Sequence, residues 1–347
     1  MVEKPIFGNW NSIDILNSLD NYILFTMKEP WQIIELKIEN KPIILDFNFN
    51  MEFKHLNSLF NERKEKLDQD IAIVGVGGGT SCDTAKFFAW KLKEQLKKDI
   101  GLYLIPSIIS VDAFLCSSIA VRIDNKVKYI GESKPKEIII DFELIRKAPL
   151  YLNRAGISDT LSIASALGDW KLAKDENNEN FNQEVFNKAK KIAKTLMKAR
   201  NDIQQVNETG IKAMVNGFYD EVKLCEQWGN ARPEEASEHF LAYCLESLTH
   251  RHYIHGNLIG MNILISIFLQ QDYAEFDFDE VHQFLNDIQL NWTASEQNIS
   301  HEDLRNCLKI IKYFVVKENL FYSIFNSPKL EIDNKLIQQV LDLTERK

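Results

Sequence analysis

A short apolar run, Ile71–Val76 (IAIVGV), passes straight into Gly77-Gly78-Gly79-Thr80-Ser81-Cys82-Asp83 and then into a helical pattern. Three glycines at the end of a buried strand let the backbone turn sharply and admit a ligand to contact distance. The helix N-terminus that follows offers unpaired N–H groups and a positive dipole end, which suits a pyrophosphate. A tight structural turn is the competing reading. The pattern is neither GxGxxG nor a P-loop, whose Lys is missing before Thr80. Thr80-x-x-Asp83 also has capping-box spacing, so Asp83 is read as a cap as well as part of the turn.

The surroundings fit such a turn. Tyr22–Thr26, Pro42–Asp46, Ile71–Val76, Gly101–Pro106 and Glu137–Asp141 are short, β-branched-rich runs ending in turn or polar residues, and predict strands. Helical spacing over Met51–Leu67 and Ser81–Lys98 separates them, which predicts a parallel sheet with crossover helices. From about Tyr151 the strand signals stop. Gly156–Ala173, Asn182–Ala199, Glu208–Trp228, Glu234–Leu248, Leu258–Gln270, Asp279–Gln289, His301–Val316 and Asn334–Thr344 predict helices, with Lys174–Asn182 and Gln270–Asp279 as polar connectors. Two domains follow: an α/β Rossmann-like domain over 1–150 and an all-α domain over 151–347. The length of 347 residues accommodates two, since domains run to roughly 100–200 residues each.

Composition narrows the class. Fifty acidic residues against 41 basic ones give a formal charge of −9 without a basic block, which excludes a nucleic-acid grip built on clustered Lys/Arg. A local pocket for an anionic small molecule stays open. The N-terminus lacks a basic segment followed by an apolar run, so no secretory signal is expected. Leu258–Leu269 holds Asn262 and Ser266 and is about half the roughly 20 residues a span needs, which predicts a buried helix instead. Cys82, Cys116, Cys225, Cys244 and Cys307 are scattered and form no CxxC, as for reduced thiols in the cytoplasm.

Four of the seven histidines fall between His239 and His255. On one straight helix these two would stand about 24 Å apart, so they share a metal only if the chain turns between them. Thr249–Ile254 (THRHYI) is suited to that turn, with His250 and His252 exposed in it. Two His and a carboxylate with one position open form a catalytic metal site. Asp159, at the junction of the two halves, is the best-placed carboxylate, and two unconnected helix-terminal His are the bland alternative.

Taken together, Gly77–Lys86 (GGGTSCDTAK), Ile105–Ser118 (IPSIISVDAFLCSS) and Asp159/His239/His255 resemble the superfamily of glycerol dehydrogenase, the iron-containing alcohol dehydrogenases and 3-dehydroquinate synthase. Ala155–Ala173 and Ala231–His239 (ARPEEASEH) are most similar to its sn-glycerol-1-phosphate dehydrogenase family. The resemblance covers roughly residues 65–270. It implies a dehydroquinate synthase-like fold, with a Rossmann-like N-terminal domain, a helical C-terminal domain and a cleft site. NAD or NADP would lie on Gly77, Gly78, Gly79, Thr80 and Asp83, lined by Ser107, Ser110 and Cys116. Asp112 and Tyr243 would face the substrate. One divalent metal, zinc, iron or nickel, would be held by Asp159, His239 and His255. The implied activity is NAD(P)-linked oxidation of a small polyol or phosphopolyol, or reduction of dihydroxyacetone phosphate, in a cytoplasmic homo-oligomer with no membrane span and no nucleic-acid partner. The alternative is a 3-dehydroquinate synthase-like sugar-phosphate cyclase using NAD+ transiently. Asp159 favours the dehydrogenases, since the cyclising synthases carry Glu there.

Two residues depart from the family. Tyr243 stands where it has a second His, and Cys116 where it has Ser. The Asp that would hold an NAD ribose after the first strand is also not evident in Thr26-Met27-Lys28, where Lys28 is a candidate for a 2′-phosphate or a plain exposed lysine. Lys86 is read as a phosphate contact or a solvated lysine. Arg154 and Arg232 are candidates for anion contacts, with helix-terminal pairing as the alternative. Trp170 is read as core and Glu238 as a helix cap.

Overall fold

In the computed structural model, which describes residues 3–48, 50–64, 67, 71–97, 100–124 and 126–346, six strands form one parallel sheet. They are β1 (Ile6–Gly8), β2 (Tyr22–Thr26), β3 (Ile44–Asp46), β4 (Ala72–Gly77), β5 (Leu102–Pro106) and β8 (Glu137–Asp141), in the order β1-β8-β5-β4-β2-β3. All belong to the compact unit Met1–Asn153. Parallel strands covered on both faces need apolar residues at nearly every position, and β2 and β5 are buried throughout.

From β2 the chain steps outward to β3, then returns to the other side of β2 as β4 and continues to β5 and β8. The winding therefore reverses between β2 and β4, which pair in register from Tyr22↔Ala72 to Thr26↔Val76. Ligands of open α/β sheets bind outside the carboxyl ends of the strands at such a reversal. Gly77 and its turn stand at the carboxyl end of β4.

The helix Gly79–Leu96 lies close against the sheet because Gly75 has no side chain. A Cβ there would stand 2.9 Å from Ala85 Cβ and from the Ser81 carbonyl oxygen. Phe88 then reaches Phe25 of β2, ring centroids 4.4 Å apart.

The unit Arg154–Lys347 contains no strand among its described residues. At its centre runs His255–Gln270, buried at every residue from Gly256 to Ile267. A helix apolar all round belongs inside a core. No helix among the described residues is long and apolar enough to cross a membrane.

The sequence expectations need several corrections. The helix expected over Gly156–Ala173 is interrupted, running Leu150–Ala155, Ile157–Leu161 and Ile163–Asn177. Ser162 donates its hydroxyl to the Asp159 carbonyl and Ser165 to that of Ser162, bonds that compete with the helical ladder. The connector expected from Lys174 starts only after Asn177, where Asn178 adopts φ 51°. Pro42 and Ile43 fall outside β3. The helix expected over Met51–Leu67 runs Phe53–Arg63, and its residues 65 and 66 lie outside the described residues, as does Lys98 of Ser81–Lys98. Unforeseen are β1, the helices Asn11–Ser18 and Lys28–Ile34, and an antiparallel hairpin of β6 (Ser118–Ile123) and β7 (Lys126–Glu132).

Candidate active site

Two sets of residues carry chemistry, one in each unit. In the first, Gly77 ends β4, and a Cβ on it would overlap Ser81 Oγ and stand 2.7 Å from Ser81 Cβ. Gly78 is the N-cap of the 18-residue helix Gly79–Leu96 and no side chain caps that end. Its first N–H groups are open to a ligand. A Cβ at Gly78 would stand 3.1 Å from Ile108 Cγ2, and one at Gly79 3.0 Å from Val111 Cγ2. Ser81, which the sequence did not single out, has a buried hydroxyl with no hydrogen-bond partner. Open donors, an orphaned hydroxyl and glycines that side chains would crowd all fit a phosphate group. Ser107, at the end of β5, donates its N–H to the Gly77 carbonyl at 3.0 Å. Ser110 and Asp112 lie in the same segment and are partly exposed.

Asp83 and Lys86 do something else. Asp83 is not a cap: it sits one turn inside the helix, buried, 2.6 Å from Lys86 Nζ, and accepts the Ala120 N–H of β6 at 3.4 Å. Lys86 is only 1% exposed and donates to the carbonyls of Cys116 at 3.1 Å and Ser118 at 2.6 Å. An ammonium has three protons. All three are engaged, so Lys86 is neither solvated nor available to a phosphate. Burial opposes its charge, but Asp83 together with the nearby Cys116 and Cys82 outweighs that and holds the ammonium above its ordinary range. Cys116, thus anchored through its carbonyl, places its Sγ 2.8 Å from Asp112 Oδ2.

In the second unit, Asp159, His239 and His255 offer ligand atoms that all lie within 4.8 Å of one another. Asp159 comes from Ile157–Leu161, His239 from the first turn of Ser237–Thr249 and His255 from the start of His255–Gln270. The chain reverses between the two histidines, as THRHYI predicts, with His250 in the left-handed region at φ 52° and both turn histidines exposed. Gly256 brings the third ligand in. A Cβ on it would overlap the Ala155 carbonyl, and one on Gly260, a turn later, would stand 3.1 Å from Ser158 Oγ. These two glycines let His255–Gln270 lie directly on the segment that carries Asp159.

His255 Nε2 is 3.1 Å from Asp159 Oδ1, an oxygen that is buried and accepts no well-formed hydrogen bond. The His239 and His255 ring centroids are 5.4 Å apart. His239 Nδ1 faces Glu238 Oε1 at 2.8 Å, which leaves Nε2 as its ligating nitrogen. A carboxylate behind a ligating imidazole fixes its tautomer and orientation. Glu238 is itself fully buried, accepting from Ala236 N–H at 2.7 Å and Ser165 Oγ at 2.7 Å. It is therefore more than the cap the sequence suggested. Burial disfavours the His239 imidazolium, but Glu238, Glu235 and Asp159 outweigh it and raise the ring to about 9. A borderline donor set of two imidazoles and one carboxylate, with its carboxylate oxygen otherwise orphaned, fits a divalent zinc- or iron-like cation.

The remaining candidates divide. Tyr243 stands one turn beyond His239, rings 6.1 Å apart, and donates its hydroxyl to Glu235 Oε1 at 2.8 Å. Arg154 is bound to the Gln204 carbonyl at 2.7 Å and Gln289 Oε1 at 2.9 Å. Arg232 is buried, bonded to the carbonyls of Asp169 and Tyr322 and paired with Glu179 at 2.9 Å. Trp170 is fully buried, as expected. Lys28 is exposed.

Residues 37–149 match the family model of the iron-containing alcohol dehydrogenases. A glycerol-1-phosphate dehydrogenase [NAD(P)+] of Archaeoglobus fulgidus is 24% identical over 304 residues, covering 85% of this chain and 84% of its own. That of Methanosphaera stadtmanae is 26% identical over 264 residues, covering 75% and 73%. Among solved structures, a probable glycerol dehydrogenase from Sinorhizobium meliloti superposes with a TM-score of 0.70 at 15% identity, covering 96% of this chain and 93% of that one. Sulfoacetaldehyde reductase from Bifidobacterium kashiwanohense, solved with NAD+, gives 0.69 at 15% identity, covering 98% and 96%. At that identity the two structures speak for the fold. The superfamily resemblance carried by the glycine turn and the Asp/His set is borne out.

Proposed function

We propose that this chain, a relative of the iron-containing alcohol dehydrogenases, is a metal-dependent, NAD(P)-linked dehydrogenase of a small polyol or phosphopolyol, similar to sn-glycerol-1-phosphate dehydrogenase. The observation that carries the reading is the convergence of Asp159, His239 and His255 from three separate helices, with Glu238 behind His239. Similarity to glycerol-1-phosphate dehydrogenases and the family match support it over a cyclase that would leave the nicotinamide unchanged.

Within this reading residues 1–150 bind the nucleotide and 151–347 the metal and substrate. Gly77, Gly78, Gly79, Thr80 and the buried Ser81 would hold the pyrophosphate by backbone and hydroxyl donors. Ser107, Ser110 and the Cys116 segment would line it, and Asp83 contributes through its ion pair. A divalent cation on Asp159, His239 and His255 supplies a Lewis acid for a carbonyl or alcohol oxygen, and the nicotinamide supplies or accepts hydride. Glu238 keeps His239 in its ligating tautomer. Asp112 and Tyr243 are assigned to the substrate: Asp112 is a hydrogen-bond acceptor for a hydroxyl, and Tyr243 orients Glu235. Cysteines that form no disulfide among the described residues suit a cytoplasmic enzyme, and a homo-oligomer is expected from the resemblance.

A panel of polyols, phosphopolyols and their ketones, run with both nicotinamides and with added zinc, iron or nickel, tests the reading. Metal-dependent change in nicotinamide absorbance is the expected result. Turnover at full rate after chelation would remove the metal from the reaction, and turnover without net change in nicotinamide would favour the cyclase.

A further inference from the structure

We propose that Glu235 makes this site selective for an uncharged or cationic alcohol over a phosphate ester. The inference rests on the dehydrogenase reading and narrows its substrate. Three carboxylates lie about His239: Asp159 in the ligand set, Glu238 bonded behind the ring, and Glu235, which accepts at 2.8 Å from the hydroxyl of Tyr243, whose ring stands 6.1 Å from that of His239. Glu235 is the one of the three that neither ligates nor bonds the ring.

The two arginines that the sequence offers as anion contacts are held by other groups. Arg232 is buried against Glu179 and two carbonyls, and Arg154 is bonded to Gln204 and Gln289. Tyr243, the polar side chain one turn beyond His239, directs its hydroxyl proton to Glu235 at 2.8 Å. A phosphate needs donors and positive charge. Glu235 offers neither, because an ionised carboxylate only accepts. It suits a substrate hydroxyl or an ammonium, and it repels a dianion.

The test uses the metal-loaded, full-length protein. In the first arm, kcat/KM is compared for dihydroxyacetone, glycerol and 3-amino-1,2-propanediol against dihydroxyacetone phosphate and glycerol 1-phosphate. The expected preference for the unphosphorylated compounds is at least about tenfold, as for a like-charge contact. In the second, inorganic phosphate is titrated calorimetrically into the wild type and Glu235→Gln. The variant is expected to bind phosphate about tenfold more tightly than the wild type. A wild type that prefers the phosphate esters, or equal phosphate affinity in the two proteins, overturns the proposal. The first arm needs no variant to fold. If no alcohol of either class reacts with either nicotinamide, the dehydrogenase reading fails, while the phosphate titration still decides what Glu235 does.

Discussion

Gly256 shows how one missing side chain sets a site. The position a Cβ would take is occupied by the Ala155 carbonyl, which is backbone and cannot rotate away. Gly256→Ala must therefore push His255–Gln270 off the segment bearing Asp159 and carry His255 with it. Overpacking of this kind costs about 1–3 kcal/mol of stability, and the larger effect falls on the donor set. Metal retained after dialysis is expected to fall well below that of wild type, while Gly101→Ala, where a Cβ would meet only the Tyr103 ring at an ordinary 3.5 Å, retains it. Loss of metal from both, or neither, would contradict this. At this scale the sequence was partly legible. Residue type and spacing brought out Asp159, His239 and His255. They could not distinguish Glu238 the cap from Glu238 the partner of His239, because it does both within three residues of chain. Lys86 was misread altogether, since nothing local to a helical lysine announces two carbonyls thirty residues away.

Between elements, buried polar groups do the joining. Asp83 and Lys86 tie the helix after the glycine turn to the Cys116–Ser118 segment and to β6. Lys86→Met leaves a buried carboxylate unpaired, a change that costs about 3–5 kcal/mol. Adding Asp83→Asn removes the stranded charge, so the double variant is expected to recover much of the loss in urea unfolding; additive losses would mean the two groups are not coupled. The hairpin they anchor escaped the sequence reading because β7 is largely exposed and alternates Lys with Val and Tyr, a pattern equally suited to a loop.

Asp169 plays the corresponding part among the helices. It accepts from Ser237 N–H at 3.1 Å, from Ser237 Oγ, and from Ile324 N–H at 2.6 Å. Burial raises it to about 6, against the pull of these donors and of Arg232. A carboxyl raised on folding favours its protonated form, so its contribution is full below about pH 4 and fades as pH rises through about 6. A shift of about two units corresponds to roughly 3 kcal/mol. The stability of wild type relative to Asp169→Asn should therefore fall between pH 4 and 6 in urea titrations, and a constant difference would refute the assignment.

At the scale of the whole molecule, the chain was legible where the pattern repeats. Alternation over the first half implied a parallel sheet, and the end of strand signals near Tyr151 implied a helical remainder. The edge elements were lost because three-residue β1 is too short to show a period. The charge of −9 revealed nothing about either set of site residues: one is made of backbone donors and the other of carboxylates and imidazoles. The glycine turn lies wholly within Met1–Asn153 and the donor set wholly within Arg154–Lys347. Under the proposed function, removing the metal should then abolish turnover without abolishing nucleotide binding. Nicotinamide fluorescence titrations before and after chelation are expected to give affinities within a few-fold of each other, with turnover restored on returning the cation. The metal should also stabilise the folded protein, by about 4 kcal/mol at a thousandfold excess over its dissociation constant. Loss of nucleotide affinity in step with the metal would mean that the two sets of residues hold a single ligand site, and the assignment of one to each group would have to be abandoned.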